Sequence, residues 1–142
     1  MDVRIKLHTD NEACKPCKAK GGDWYDLAAR RDVILSKGHY HLVPLGVSIE
    51  LPKGYEALVI PRSSTFKRSG ALQANSVGLI DEAYCGDNDE WCFPVYATRD
   101  AVIREGERVC QFRVIEHQPE LAFEYVDELG NADRDGFGST GV

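Results

Sequence analysis

The 142-residue chain has no apolar run approaching the roughly 20 residues of a membrane-spanning helix. It has no excess of basic residues either: 17 Lys and Arg stand against 23 Asp and Glu, a formal charge of −6. Phosphate backbones are gripped by clustered Lys and Arg, so neither direct nucleic-acid binding nor membrane association is expected. A small anionic ligand would need a locally basic or metal-assisted pocket. The start, Met1-Asp2-Val3-Arg4, lacks a signal-peptide pattern. The cysteines are odd in number, Cys14, Cys17, Cys85, Cys92 and Cys110, and reduced thiols in a cytoplasm are expected. Cys14-Lys15-Pro16-Cys17 is a CxxC, but Cys85 and Cys92 do not supply a second pair with zinc spacing, and no βαβ pattern surrounds it. Neither a zinc site nor a redox role is expected there. Internal repeats and linkers are also missing, which leaves one domain.

What the chain does have is short strand signals separated by turns. Val3, Ile5 and Leu7 alternate with polar residues and read as a first strand; Thr9 to Asp23 reads as loop. Ordered segments follow at Trp24 to Ala29, Asp32 to Leu35, Tyr40 to Leu45, Val47 to Leu51 and Glu56 to Ile60. Pro61 to Gly70 is the one segment with a helical signal, two turns at most, with Gly70 as its stop. Its start carries Arg62, Ser63 and Ser64, either anion ligands or plain helix caps. Val77 to Ile80 reads as a strand, and Gly86, Asp87 and Asn88 read as a turn. Trp91 to Thr98 is expected to return beside Val77 to Ile80 as a hairpin, with Asp81 at its shoulder and Tyr84 three residues on. Gly78 would let a flat ligand approach the backbone. An acid at a strand end can activate water, and an adjacent ring can pack on a sugar or base. Ala101 to Arg104 is short, Arg108 to Glu116 and Leu121 to Leu129 read as strands, and Gly130 to Val142 is a Gly-rich tail too poor in apolar residues to pack alone. Many short strands with almost no helix predict an all-β, jelly-roll-like barrel at residues 1–129. Residues 130–142 are expected to be a flexible tail that closes a site.

Five separated segments resemble the trimeric dUTP diphosphatase (dUTPase) family of phages and bacteria. They are Tyr25-Asp26-Leu27-Ala28-Ala29, Pro61-Arg62-Ser63-Ser64, Asn75 through Gly86, Gly106-Glu107-Arg108-Val109-Cys110-Gln111, and Gly136-Phe137-Gly138-Ser139-Thr140-Gly141, in the family's order. The resemblance implies a homotrimer with shared active sites, and Mg²⁺-assisted hydrolysis of dUTP to dUMP and pyrophosphate, which limits uracil incorporation into DNA. It implies Asp81 as the base that aligns water on the α-phosphorus, and Tyr84 under the deoxyribose, leaving no room for a 2′-hydroxyl. Asn75 and the backbone from Gly78 to Ile80 would read the nucleoside. Arg62, Ser63, Ser64 and Gln111 would bind phosphates, and Asp26 would hold the water shell of the metal. Phe137 would stack on uracil, while Arg134, Gly138, Ser139 and Thr140 would supply tail contacts.

The chain departs from the family pattern in three places. Trp24 stands where a small residue is usual, the turn Asp87-Asn88-Asp89-Glu90 is long, and only three positions separate Arg134 from Phe137. Two other readings use the same scaffold. A dCTP deaminase would need a carboxylate on the strand after the hairpin, and Trp91 to Thr98 has none. A regulatory module would capture a protein partner, with the acidic turn or the Cys14–Cys17 loop as a surface.

Overall fold

Residues 1–138 are described by a computed structural model of the chain. Alternation of apolar and polar residues is carried directly into the strands. In β10 (Cys92–Ala97), Phe93, Val95 and Ala97 are buried while the residues between them are not, the two-residue period of a half-buried strand. The earlier strands are β1 (Arg4–Leu7), β2 (Cys17–Lys18), β3 (Tyr25–Ala28), β4 (Val33–Leu35), β5 (Tyr40–Pro44), β6 (Val47–Glu50), β7 (Tyr55–Pro61), β8 (Ala71–Gln73) and β9 (Gly78–Ile80). The later ones are β11 (Ala101–Ile103) and β12 (Arg108–Glu116). A five-stranded sheet runs β2-β3-β12-β7-β9 and a three-stranded sheet runs β5-β10-β8, with two-stranded pairs β1-β6 and β11-β4, all antiparallel. This is the expected jelly-roll-like, all-β architecture.

The core lies between these sheets. Trp91, Phe93, Leu27, Leu35, Leu45 and Ile49 are fully buried, each contributing on the order of 2 kcal/mol of apolar transfer. Trp91 meets Phe112 edge-on, with ring centroids 5.3 Å apart. The single helix, α1 (Thr65–Ser69), ends where expected: Gly70 takes φ 68° and its N–H closes on the Phe66 carbonyl at 2.7 Å. A side chain on that left-handed residue would be strained.

Three expectations are corrected. Val77 to Ile80 and Trp91 to Thr98 are not hairpin partners, because β9 pairs with β7 and β10 lies between β5 and β8. The connection from Asp81 to Trp91 crosses from one sheet to the other, and its turn residues shape that crossing rather than a two-strand ladder. Leu121 to Leu129 forms no strand among the described residues, and every residue in it is exposed; one chain offers its apolar side chains no surface to pair with or bury against. Thr9 to Asp23 is not wholly loop. Asn11 caps a 3-10 turn at Glu12–Cys14 by accepting from the Ala13 N–H at 2.9 Å, and Cys17–Lys18 adds β2 to the sheet edge.

Candidate active site

The five-stranded sheet brings the first group of candidate residues together. Gln111 on β12 stands opposite Asp26 on β3 and, on its other side, opposite Ile60 on β7. β7 then delivers Arg62 just past its end. The Asp26 carboxylate is 4% exposed; its Oδ2 lies 3.2 Å from Arg62 Nε and 3.6 Å from Arg108 Nη1. Among the described residues no group donates an aligned hydrogen bond to that oxygen. A buried carboxylate is tolerated only when paired, and here two guanidinium groups flank it. Cys110 lies beneath, and burial, then the Asp26 charge, push its thiol well above its ordinary pKa. The Gln111 amide donates to the Pro61 carbonyl at 3.1 Å, which fixes the side chain against the end of β7.

Beside this cluster a cleft of about 480 Å³ is lined by four arginines, Arg62, Arg68, Arg104 and Arg108, against two acids, Glu105 and Glu107, the latter paired with Arg68. The acidic chain thus has a locally basic hollow. Ser64 stands at the helix start without making a capping bond, and Ser63 is exposed. Thr65 takes the structural work instead: its hydroxyl accepts from the Arg62 N–H and donates to the Val109 carbonyl.

A second cleft, about 370 Å³, is bordered by Asn75, Ile80, Asp81 and Tyr84, with Tyr40 and Leu42 on its apolar side. The Tyr84 N–H donates to the Asp81 carbonyl at 3.0 Å, closing the turn that holds acid and ring together. The Tyr84 hydroxyl donates to the Glu90 carbonyl at 3.1 Å. Burial, then the nearby Asp89, raise the pKa of that phenol. The Glu90 carboxylate accepts from Arg30 Nε at 2.9 Å and the Gly46 N–H at 2.8 Å. Burial pushes the Glu90 carboxyl up, but these two hydrogen bonds and the cationic surroundings outweigh it and hold the pKa below the usual range.

A Cβ at Gly78 would meet Gln73 Nε2 and Val59 Cβ at 3.3 Å each, a tight fit, so strand packing is a second reason for glycine there. β9 is nevertheless the last strand of its sheet, and its outer backbone edge has no strand against it.

The two clusters stand at opposite ends of β7. Ile80 faces Ala57, and Asp81 is one step further toward Glu56. Arg62 lies six residues along from Glu56, about 20 Å at the rise of an extended strand. Phe137, fully exposed with φ 51°, and its neighbours Arg134 and Gly138 touch neither cleft. Ser139 and Thr140 lie outside the described residues.

Sequence reasoning missed Arg108, Cys17, Arg30 and Glu90. Arg108 Nη2 donates to Cys17 Sγ at 3.3 Å while Nη1 faces Asp26. Cys17 is the ladder partner of Asp26, so the CxxC segment buttresses the cluster. The position of Arg108, three residues before Gln111, was a usable signal for it. Nothing local marks the Arg30–Glu90 pair, which spans 60 residues.

A barrel with a basic hollow at one end of a strand and an acid–tyrosine cleft at the other has the parts of a nucleotide-handling hydrolase. A family model described as dUTPase matches residues 13–141, and the chain belongs to that family. It is 52% identical, over 100% of its length and 99% of the relative's, to an SPbeta prophage-derived deoxyuridine 5'-triphosphate nucleotidohydrolase of Bacillus subtilis. It is 36% identical to the enzyme of the same name from Thermobifida fusca, over 98% of this chain and 79% of the other. Among solved structures, the dUTPase of Streptococcus mutans aligns with a TM-score of 0.74 at 27% identity, covering 83% of this chain and 98% of that one. The dUTPase of Staphylococcus bacteriophage 80alpha aligns with a TM-score of 0.77 at 21% identity, over 99% of both chains, which bears on the fold alone.

Proposed function

We propose that this protein is a dUTP diphosphatase of the cytoplasm, hydrolysing dUTP to dUMP and pyrophosphate in a homotrimer whose sites are shared between chains. One observation carries the shared-site reading: in a single chain Asp81 and Arg62 stand about 20 Å apart along β7. A water and the phosphorus it attacks must be within about 3.5 Å of each other. The base of one chain and the phosphate cluster of another therefore meet only on assembly, and a closed threefold ring makes every such meeting equivalent. Residues 117–138 support the same reading, being exposed throughout and carrying Leu121, Phe123, Tyr125 and Leu129 without a surface of their own.

In this mechanism Asp81 takes a proton from water as the water oxygen bonds to the α-phosphorus. The bond from that phosphorus to the bridging oxygen breaks, and pyrophosphate leaves. Tyr84 forms the floor under the deoxyribose, and Asn75 with the free outer edge of β9 at Gly78 to Ile80 reads the uracil. Arg62, Ser63, Ser64 and Gln111 hold phosphate oxygens, with Arg108 behind them. The barrel, whose last strand ends at Glu116, carries these groups; residues 130–142 close over them, bringing Arg134, Phe137, Gly138, Ser139 and Thr140 to the nucleotide.

The donor set fits Mg²⁺ in one manner only. Mg²⁺ retains several waters and binds through substrate phosphates. Asp26 offers a buried oxygen without a hydrogen bond, but Arg62 and Arg108 beside it suit a water-mediated contact rather than direct coordination. When bound, the ion would neutralise charge on the phosphates.

The test is a nucleotide panel with Mg²⁺ and pyrophosphate detection. dUTP should be turned over, with dCTP, dTTP and UTP far behind. Ammonia from dCTP, with no pyrophosphate from dUTP, would mean a deaminase instead. One of the phage 80alpha structures is described as belonging to dUTPases that control transfer of virulence genes. A regulatory partner is proposed here only as an addition to catalysis, to be sought by pull-down with the active trimer.

A further inference from the structure

We infer that Glu90, held by Arg30, is a positioning residue for sugar discrimination, because it supplies the fixed acceptor that orients the Tyr84 ring. The inference rests on the dUTPase reading above and deepens it. Tyr84 is 41% exposed, so burial alone does not lock its ring. What fixes it is one bond at each end: its N–H to the Asp81 carbonyl at 3.0 Å and its hydroxyl to the Glu90 carbonyl at 3.1 Å. The second bond holds the ring only as firmly as Glu90 itself is held.

Glu90 is held unusually well for a residue in an irregular connection. Its carboxylate accepts from Arg30 Nε at 2.9 Å and from the Gly46 N–H at 2.8 Å, and its side chain is 18% exposed. The next residue, Trp91, is buried, and its N–H donates to the Val47 carbonyl at 2.8 Å. The connection from Asp81 to Glu90 is thus pinned to the segment from Arg30 to Val47 by this charged side chain, next to the backbone bond of Trp91. Its earlier part is tied elsewhere: Glu82 Oε2 accepts from the Gly54 N–H at 3.1 Å, the Asp87 carbonyl accepts from Lys6 Nζ at 3.0 Å, and Asp89 Oδ2 accepts from the Gly86 N–H at 2.8 Å. Glu90 also borders the cleft of Asn75, Asp81 and Tyr84. Release of the Glu90 carboxylate would loosen the Glu90 carbonyl and, through the hydroxyl bond, the Tyr84 ring from its place under the sugar.

The experiment measures kcat and KM for dUTP and for UTP on the intact assembly of wild type, Glu90→Gln, Arg30→Met and Tyr84→Phe. In Tyr84→Phe the ion pair is untouched and only the bond to the Glu90 carbonyl is lost, so this variant keeps the test sound if the others fold poorly. The ratio of kcat/KM for dUTP over UTP should fall roughly tenfold in each variant, mainly through KM. The double variant Glu90→Gln with Tyr84→Phe should lose no more than the worse single change, since both act through one contact. Arg30→Lys should restore part of the ratio. A merely structural role would lower both substrates in proportion and leave the ratio unchanged, and that result overturns the inference. So does full selectivity in Tyr84→Phe. A wild-type protein that ignores dUTP overturns the dUTPase reading and this inference together, whereas a selective wild type with equally selective variants overturns this inference alone.

Discussion

Residues 1–116 and residues 117–138 obey different rules. The first region pairs its strands in four sheets and buries Trp91, Phe93 and Leu27 completely. The second has a comparable supply of large apolar side chains, with Phe123 76% and Tyr125 95% exposed. Composition does not separate them; the availability of a partner surface does. The contrast teaches which half of the function a single chain can build. It completes the cluster of Asp26, Arg62, Arg108 and Gln111 and the cleft of Asp81 and Tyr84, but it holds them at opposite ends of β7 and leaves residues 118–138 exposed.

The sharpest way to probe the first region is Asp81→Asn. It removes the proposed base from the cleft while keeping the shape, so turnover of dUTP should fall on the order of a hundredfold or more. Binding of a non-hydrolysable analogue, measured by calorimetry, should persist. Turnover near wild type would remove Asp81 from the role of base.

Next in size is a paired substitution across the two regions. Phe93→Ala should cost the barrel about 3–5 kcal/mol in denaturant unfolding, as for a buried aromatic removed from a core. Phe123→Ser should change barrel unfolding by less than about 0.5 kcal/mol, while shifting the assembly toward monomer in sedimentation. Equal losses in both would erase the distinction between the regions.

A smaller effect is expected from pH. The Glu90 pKa is depressed in the folded chain, so its contribution is present above its unfolded value and is lost as pH falls through the folded value. Acid unfolding curves of wild type and Glu90→Gln should therefore converge below the ordinary carboxylate range and separate above it. Parallel curves at all pH values would mean that the Arg30 contact adds nothing. The smallest change is expected for the Cys14→Ser, Cys17→Ser double variant. It should fold and turn over dUTP, since a serine hydroxyl can still accept from Arg108. Elemental analysis of wild type giving one zinc per subunit would contradict this.

Much of the barrel was legible in sequence because its signals are local. Alternation marked β1, β6 and β12, and Gly70 marked the helix stop. Partner choice was not legible. Gly86-Asp87-Asn88 reads as a hairpin turn, but the register of β9 on β7 and of β10 on β5 is set by which faces find the core. Leu121 to Leu129 carries a strand's composition without a strand's partner. At the site, Asp26, Arg62 and Gln111 were singled out and do converge, and so do Asn75, Asp81 and Tyr84. Their supports, Arg108 with Cys17 and Glu90 with Arg30, meet across 91 and 60 residues, so local spacing could mark Arg108 but not the partner it meets.

The central claim is that each site is assembled from more than one chain, and complementation tests it most directly. Two inactive proteins are prepared, Asp81→Asn and a truncation ending at Asn131. Each lacks one part in every site of its own assembly. In a mixed assembly, an intact Asp81 from a truncated chain can meet an intact tail from an Asp81→Asn chain. Co-refolding should restore a fraction of dUTP turnover that follows the proportion of mixed species seen by native mass spectrometry. Mixed assemblies present in quantity with no recovered turnover would mean that each tail closes over the Asp81 of its own chain, and the shared-site account would be wrong.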